Sequence, residues 1–108
     1  MAEEFRLIYI TVPNRDDALS LARILVEERL VACANVLGSI TSVYWWDGKV
    51  NEEAEVALIA KTRATLVDAV IARVKQAHSY DCPCVVSLPI ETGNPAFLQW
   101  VSAETQPR

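Results

Sequence analysis

The chemistry open to this chain starts with two thiols and one imidazole. Cys82 and Cys84 flank Pro83, and His78 lies about one helical turn upstream. Alternate residues of an extended segment point to one side, so both sulfurs share a face if the segment is extended. Thiolates with an imidazole suit a soft or borderline ion, Cu(I) above all. The predicted metal set is therefore His78, Cys82 and Cys84. The same residues admit a plainer role. Cysteine packs as a small hydrophobe, and a histidine at a helix C-terminus can be half-buried with its nitrogens satisfied.

No catalytic constellation stands beside that set. The chain has one histidine and three glycines, with no G-x-S-x-G, no glycine-rich phosphate loop and no zinc-ligand spacing. Glu52 and Glu53 are adjacent in a predicted strand and point to opposite faces, so they cannot share a site. We expect a protein that is not an enzyme. Three further features merit attention. Cys33, in Val31-Ala32-Cys33-Ala34, reads as a packed strand residue. Tyr44-Trp45-Trp46 cannot all face one way, so at least one ring is predicted to point off the sheet, into a subunit interface or a ligand-stacking site. Glu55 and Lys61 share strand parity and either line a polar cleft or are solvated.

These residues are carried by a recognisable order of elements. Residues 5–12 are β-branched and aromatic and stop at Pro13, which predicts a strand. Asn14 with Asp17 forms a capping arrangement ahead of an amphipathic helix from Arg15 to about Arg29. From Leu30 to Trp46 a long strand changes alternation phase near Gly38: Val31, Cys33, Asn35 and Leu37 share one face, then Ile40, Ser42, Tyr44 and Trp46. A bulge is expected there. Asp47-Gly48 predicts a type I′ turn, and Lys49 to Thr62 returns as a second long strand, buried on both faces from Val56 to Ala60.

Thr65 with Asp68 repeats the capping pattern for a second helix ending near His78. Val85 to Leu88 reads as a short strand closed by Pro89, and Gly93-Asn94-Pro95 as the start of a last helix with Phe97, Trp100 and Val101 on its apolar side. The order βαββαβ plus a C-terminal helix is α+β and ferredoxin-like, in a single domain over residues 1–108 with a polar tail after about residue 102. Its hairpin arm is long enough to project beyond the core.

Composition narrows the class further. The chain carries 10 Lys+Arg and 14 Asp+Glu, for a net charge of −4, and 52% of its residues are hydrophobic. A folded monomer of this mass exposes roughly 6,000 Å² of the roughly 17,000 Å² of the unfolded chain. Such apolar content is then too high to hide by folding alone, which predicts homo-oligomerisation. The acidic balance argues against nucleic acid as a partner. The longest apolar run, Val56 to Ala60, is far too short for a membrane span. An acidic start and an odd number of cysteines predict a cytoplasmic, reducing location.

Ala32-Cys33-Ala34-Asn35, the segment Ile40 to Lys49 containing Thr-Ser-Val-Tyr-Trp-Trp-Asp-Gly-Lys, Glu55-Val56, Lys61-Thr62, and Gly93-Asn94-Pro95 with Trp100 resemble the CutA divalent-cation tolerance proteins. The resemblance spans about Arg6 to Val101. It implies a cytoplasmic homotrimer of ferredoxin-like subunits, similar to the PII-like signalling proteins, with interlocked hairpins and tolerance to copper or another divalent metal ion. A copper site proposed for a bacterial member uses a first-strand cysteine and two adjacent histidines after the second helix. Here those places hold Ile10, Ala77 and His78, while Cys82 and Cys84 are additional thiols. A relocated metal site at His78, Cys82 and Cys84 is the first functional expectation. The alternative is a PII-like signalling or scaffold trimer that binds a small metabolite at inter-subunit clefts lined by Cys33, Tyr44, Trp46, Glu55, Lys61 and Glu91.

Overall fold

A computed structural model describes residues 3–107. The elements run β1 (Phe5–Val12), α1 (Arg15–Glu27), β2 (Cys33–Trp46), β3 (Lys49–Arg63), α2 (Val67–Ala77), β4 (Val85–Ile90) and α3 (Pro95–Glu104). The strands form one antiparallel sheet in the order β2-β3-β1-β4. This is the expected α+β arrangement, with β1 and β3, which carry the most buried strand residues, at its centre.

Local chemistry explains most boundaries. Asn14 Oδ1 accepts the Asp17 N–H at 2.8 Å, and Asn94 Oδ1 accepts the Ala96 N–H at 3.1 Å, so both predicted asparagine caps form. Asp47 (φ 53°) and Gly48 (φ 76°) are both left-handed, as a type I′ turn requires. Val36 pairs with Leu58 and Ser39 with Val56, so Leu37 and Gly38 together face Ala57. That bulge is the phase change read from the sequence.

Three expectations are corrected. Thr65 is not a helix cap. The chain leaves β3 through a 3₁₀ turn, Ala64–Leu66, so Thr65 lies inside that turn, and Leu66, which has no side-chain acceptor, precedes α2. Pro89 does not close the last strand: it sits within β4 opposite Arg6. An edge strand tolerates a residue without an N–H. The polar tail is no loose end either. Thr105 is buried, its hydroxyl donates to the Val101 carbonyl at 2.8 Å, and Arg63 donates to the Thr105 hydroxyl at 2.9 Å and to its carbonyl at 2.7 Å.

The core lies between the sheet and the helices, where Ile8, Ile10, Leu58 and Ala60 meet Leu21, Leu25, Val70 and Val74. A smaller cluster joins Val101 to Phe5 and Ala32. Val101 therefore belongs to the interior, whereas its helix neighbours Phe97 and Trp100 stay exposed. The β2-β3 hairpin extends past this core and gives the molecule extents of 46 × 26 × 23 Å. Its exposed area of 6871 Å² exceeds the roughly 6,000 Å² of a compact monomer of equal mass. The exposed apolar residues of the hairpin include Leu37, Val43, Tyr44, Trp45, Trp46 and Val50.

Candidate functional site

The outer half of the hairpin and the segment between α2 and β4 border a cavity of about 610 Å³. Strand alternation supplies one wall. Ser42, Tyr44 and Trp46 face it from β2, and Glu53 and Glu55 from β3, while Trp45 turns outward. The opposite wall is the stretch after α2, with Tyr80, Asp81, Cys82 and Cys84, and Thr11 of β1 closes the floor. Such a volume falls within the range of small-molecule sites.

Thr11 and His78 hold the wall in place. The Thr11 N–H donates to the Cys84 carbonyl at 3.4 Å, and the Thr11 carbonyl lies 2.7 Å from His78 Nε2. His78 Nδ1 accepts the Tyr80 N–H at 3.1 Å. A carbonyl only accepts and a peptide N–H only donates, so the imidazole is the neutral tautomer protonated at Nε2. Its ring rests on that of Tyr80 with centroids 4.6 Å apart. Tyr80 in turn donates its hydroxyl to Glu55 Oε2 at 2.8 Å, and Tyr44 donates to Glu53 across the hairpin.

This arrangement corrects the predicted metal set. Both nitrogens of His78 are engaged by the backbone, so the imidazole has no lone pair to offer an ion beside Cys82 and Cys84. Among the described residues no group of three or more His, Cys, Asp or Glu side chains is placed to hold a metal. Cys82 and Cys84 are free and exposed, and both border the cavity. The histidine thus positions the segment that carries the thiols.

The predicted cleft residues divide in the same way. Tyr44, Trp46 and Glu55 meet in the cavity. Cys33 and Lys61 do not: they face each other across β2 and β3, and Lys61 donates to Asn35. Shared parity put Lys61 on the face of Glu55, but six residues of strand separate them by roughly 20 Å. Glu91 follows β4 at the end where Ile90 pairs with Phe5, away from Thr11. Glu53, Tyr80 and Asp81 are functional candidates that sequence reading missed. The parity of Glu53 with Glu55 was a usable signal; nothing in the sequence pairs Tyr80 with Glu55.

Burial, then the hydrogen bond and charge of Glu55, push the Tyr80 phenol well above the ordinary tyrosine range. Its bond to Glu53, more than burial, raises Tyr44. For Tyr80 the folded state holds its proton more tightly than the unfolded state does. The associated stability is fully present below about pH 10 and is lost as pH rises beyond it. Tyr80→Phe should flatten that alkaline decline relative to wild type in urea unfolding at about pH 9 and about pH 11. Parallel declines would show that the phenol carries none of it.

Residues 6–104 match the family described as CutA1 divalent ion tolerance protein. The chain belongs to that family. Among CutA proteins, the chloroplastic CutA 1 of rice (Oryza sativa) is 46% identical over 100 residues, which cover 93% of this chain and 56% of the rice protein. The divalent-cation tolerance protein CutA of Thermus thermophilus is 41% identical over 99 residues, covering 92% of this chain and 96% of that one. This chain thus spans little more than half of the rice relative and nearly all of the bacterial one. The crystal structure of rice CutA1 superposes with a TM-score of 0.93 at 44% identity, covering 97% of this chain and 96% of that structure. The CutA fold is thereby shared, including the long hairpin. No helix among the described residues is long and apolar enough to cross a membrane.

Proposed function

We propose that this divalent-cation tolerance protein is a metal-binding, metal-responsive homotrimer of the cytoplasm, without catalytic activity, and that copper is held as Cu(I) by Cys82 and Cys84. The observation that carries this reading is that both free thiols border one acid-lined cavity. Soft thiolates select Cu(I). Glu53, Glu55 and Asp81 make the approach electronegative, which raises the local concentration of cations. His78 contributes by fixing the segment through Thr11 and Tyr80, outside the coordination sphere. The one histidine is committed in this way to positioning the segment, which fits a binding role. The exposed apolar arm supports assembly.

Anaerobic Cu(I) titration against a competing chelator tests the thiol assignment. Loss of outer-shell partners alone weakens metal sites by 10–100-fold, so Cys82→Ser/Cys84→Ser should weaken Cu(I) binding by at least about 100-fold. Equal affinities would reject the site, and an intact site in His78→Asn would agree with a positioning role for the imidazole.

A further inference from the structure

Cys82 and Cys84 are free and exposed, and both border the same cavity, so their side chains open into one space. The link between them is stiff. Pro83 holds its own φ at about −65° and confines Cys82 to extended or polyproline II backbone. Polyproline II advances about 3.1 Å per residue, which sets the two Cα atoms roughly 6 Å apart. A disulfide bridges Cα separations of about 4.4–6.8 Å.

The flanks of the pair are anchored. His78 meets the Thr11 carbonyl at 2.7 Å and the Tyr80 N–H at 3.1 Å, and Tyr80 donates to Glu55 at 2.8 Å. On the other side the Cys84 carbonyl accepts the Thr11 N–H at 3.4 Å. Between these ties Cys82 and Pro83 lie outside helix and strand, so a bond closed there disturbs neither the sheet nor the core. The third thiol, Cys33, is half-buried and stands opposite Lys61, apart from the pair within one chain.

We propose that Cys82 and Cys84 are a reversible redox pair that closes to an intramolecular disulfide by exchange with a small disulfide, and so withdraws both copper ligands. One thiolate attacks a sulfur of the small disulfide, expels one small thiolate and leaves a mixed disulfide on the protein. The other thiolate then attacks the protein sulfur of that bond and expels the second. Two protein thiols lose two electrons, the small disulfide is reduced to two thiols, and the two cysteine protons pass to the departing sulfurs. Glu53, Glu55 and Asp81 repel disulfides that bear carboxylates, so a neutral one is the fitting partner. Disulfides formed in reducing compartments are usually transient and redox-sensing. The release of copper rests on the Cu(I) reading of these thiols, whereas the exchange itself does not.

Exchange is tested on the reduced, assembled protein with 2-hydroxyethyl disulfide, followed by thiol alkylation and peptide mapping by mass spectrometry. In the wild type one bond should join Cys82 to Cys84 of the same chain, with Cys33 left as the alkylated thiol. Cys82→Ser and Cys84→Ser should each stop at an adduct of the small thiol. A tethered thiol acts at an effective concentration in the mM range or above, so that adduct should be at least about tenfold scarcer in the wild type than in either variant. Anaerobic titration of the oxidised protein should show Cu(I) binding at least about 100-fold weaker than in the reduced protein, restored by dithiothreitol. The proposal is overturned if the wild type accumulates the adduct as fully as the single variants, or if the bond formed joins two chains or includes Cys33. It is overturned too if closing the bond leaves Cu(I) affinity unchanged while Cys82→Ser/Cys84→Ser lowers it. Closure in a protein that binds no Cu(I) when reduced would refute the copper reading and leave the exchange standing, and Cu(I) binding without closure would do the reverse.

Discussion

Replacing Trp46 by alanine is expected to dissociate the assembled protein at concentrations where the wild type holds together, raising the dissociation constant by at least about thirtyfold. The hairpin arm presents Val43, Trp45, Trp46 and Val50 at 65%, 74%, 54% and 58% exposure. An apolar arm of this kind is a liability on a monomer and an interface core in a trimer. Truncating a tryptophan anchor in such an interface typically costs about 2 kcal/mol or more, which is about thirtyfold in affinity. Trp46 contributes little to the subunit core, so unfolding of the dissociated subunit should change little. Sedimentation velocity over a dilution series reads both species. An unchanged oligomer would show that assembly uses another surface, such as the exposed Val86 and Leu88 of the edge strand β4 or Phe97 and Trp100 of α3.

The largest effect on stability is expected at Leu58. Its side chain is fully buried on β3, between Ile10 of β1 and Val36 of β2, and packs under both long helices. Leu58→Ala removes the transfer free energy of the side chain and leaves a cavity that the central strands cannot close. The expected cost is about 2–5 kcal/mol. Domains of this size have about 5–15 kcal/mol in total, so the urea midpoint should fall by a large fraction. Arg23→Ala, an exposed change on α1, should move stability by less than about 0.5 kcal/mol. Similar losses at the two positions would mean that burial does not set the cost.

Much of the framework was legible because its signals are local. An asparagine cap is decided by the next two or three residues, as at Asn14 and Asn94. The Asp47-Gly48 turn and the bulge at Leu37-Gly38 follow from φ preferences and strand alternation. The Thr65 misreading has the same root: the motif was present, but the chain enters α2 through a 3₁₀ turn tied by the Ala64 N–H to the Glu4 carbonyl at 2.8 Å. That tie joins residues sixty positions apart, beyond any local rule.

The candidate site was legible only in part, for a related reason. Alternation placed Tyr44 and Trp46 on one face and required at least one ring to point off the sheet, which Trp45 does. It does not rank residues of equal parity along a strand, and within one subunit Lys61 and Cys33 lie far along the hairpin from Glu55. Proximity in sequence also misled at His78. One turn from the thiols, it is drawn instead to the carbonyl of Thr11, 67 residues away.

By itself, then, the sequence determined the α+β order of elements, the long hairpin with its apolar tip, the acidic balance and the family, because periodicity, turn chemistry and motif are written in neighbouring residues. Only the tertiary structure decided that His78 is a clamp and that Tyr80 reaches Glu55 across 25 residues, beside an acid-lined cavity. Those facts depend on which backbone groups need a partner once the strands have closed, and the chain supplies that answer only when it is folded.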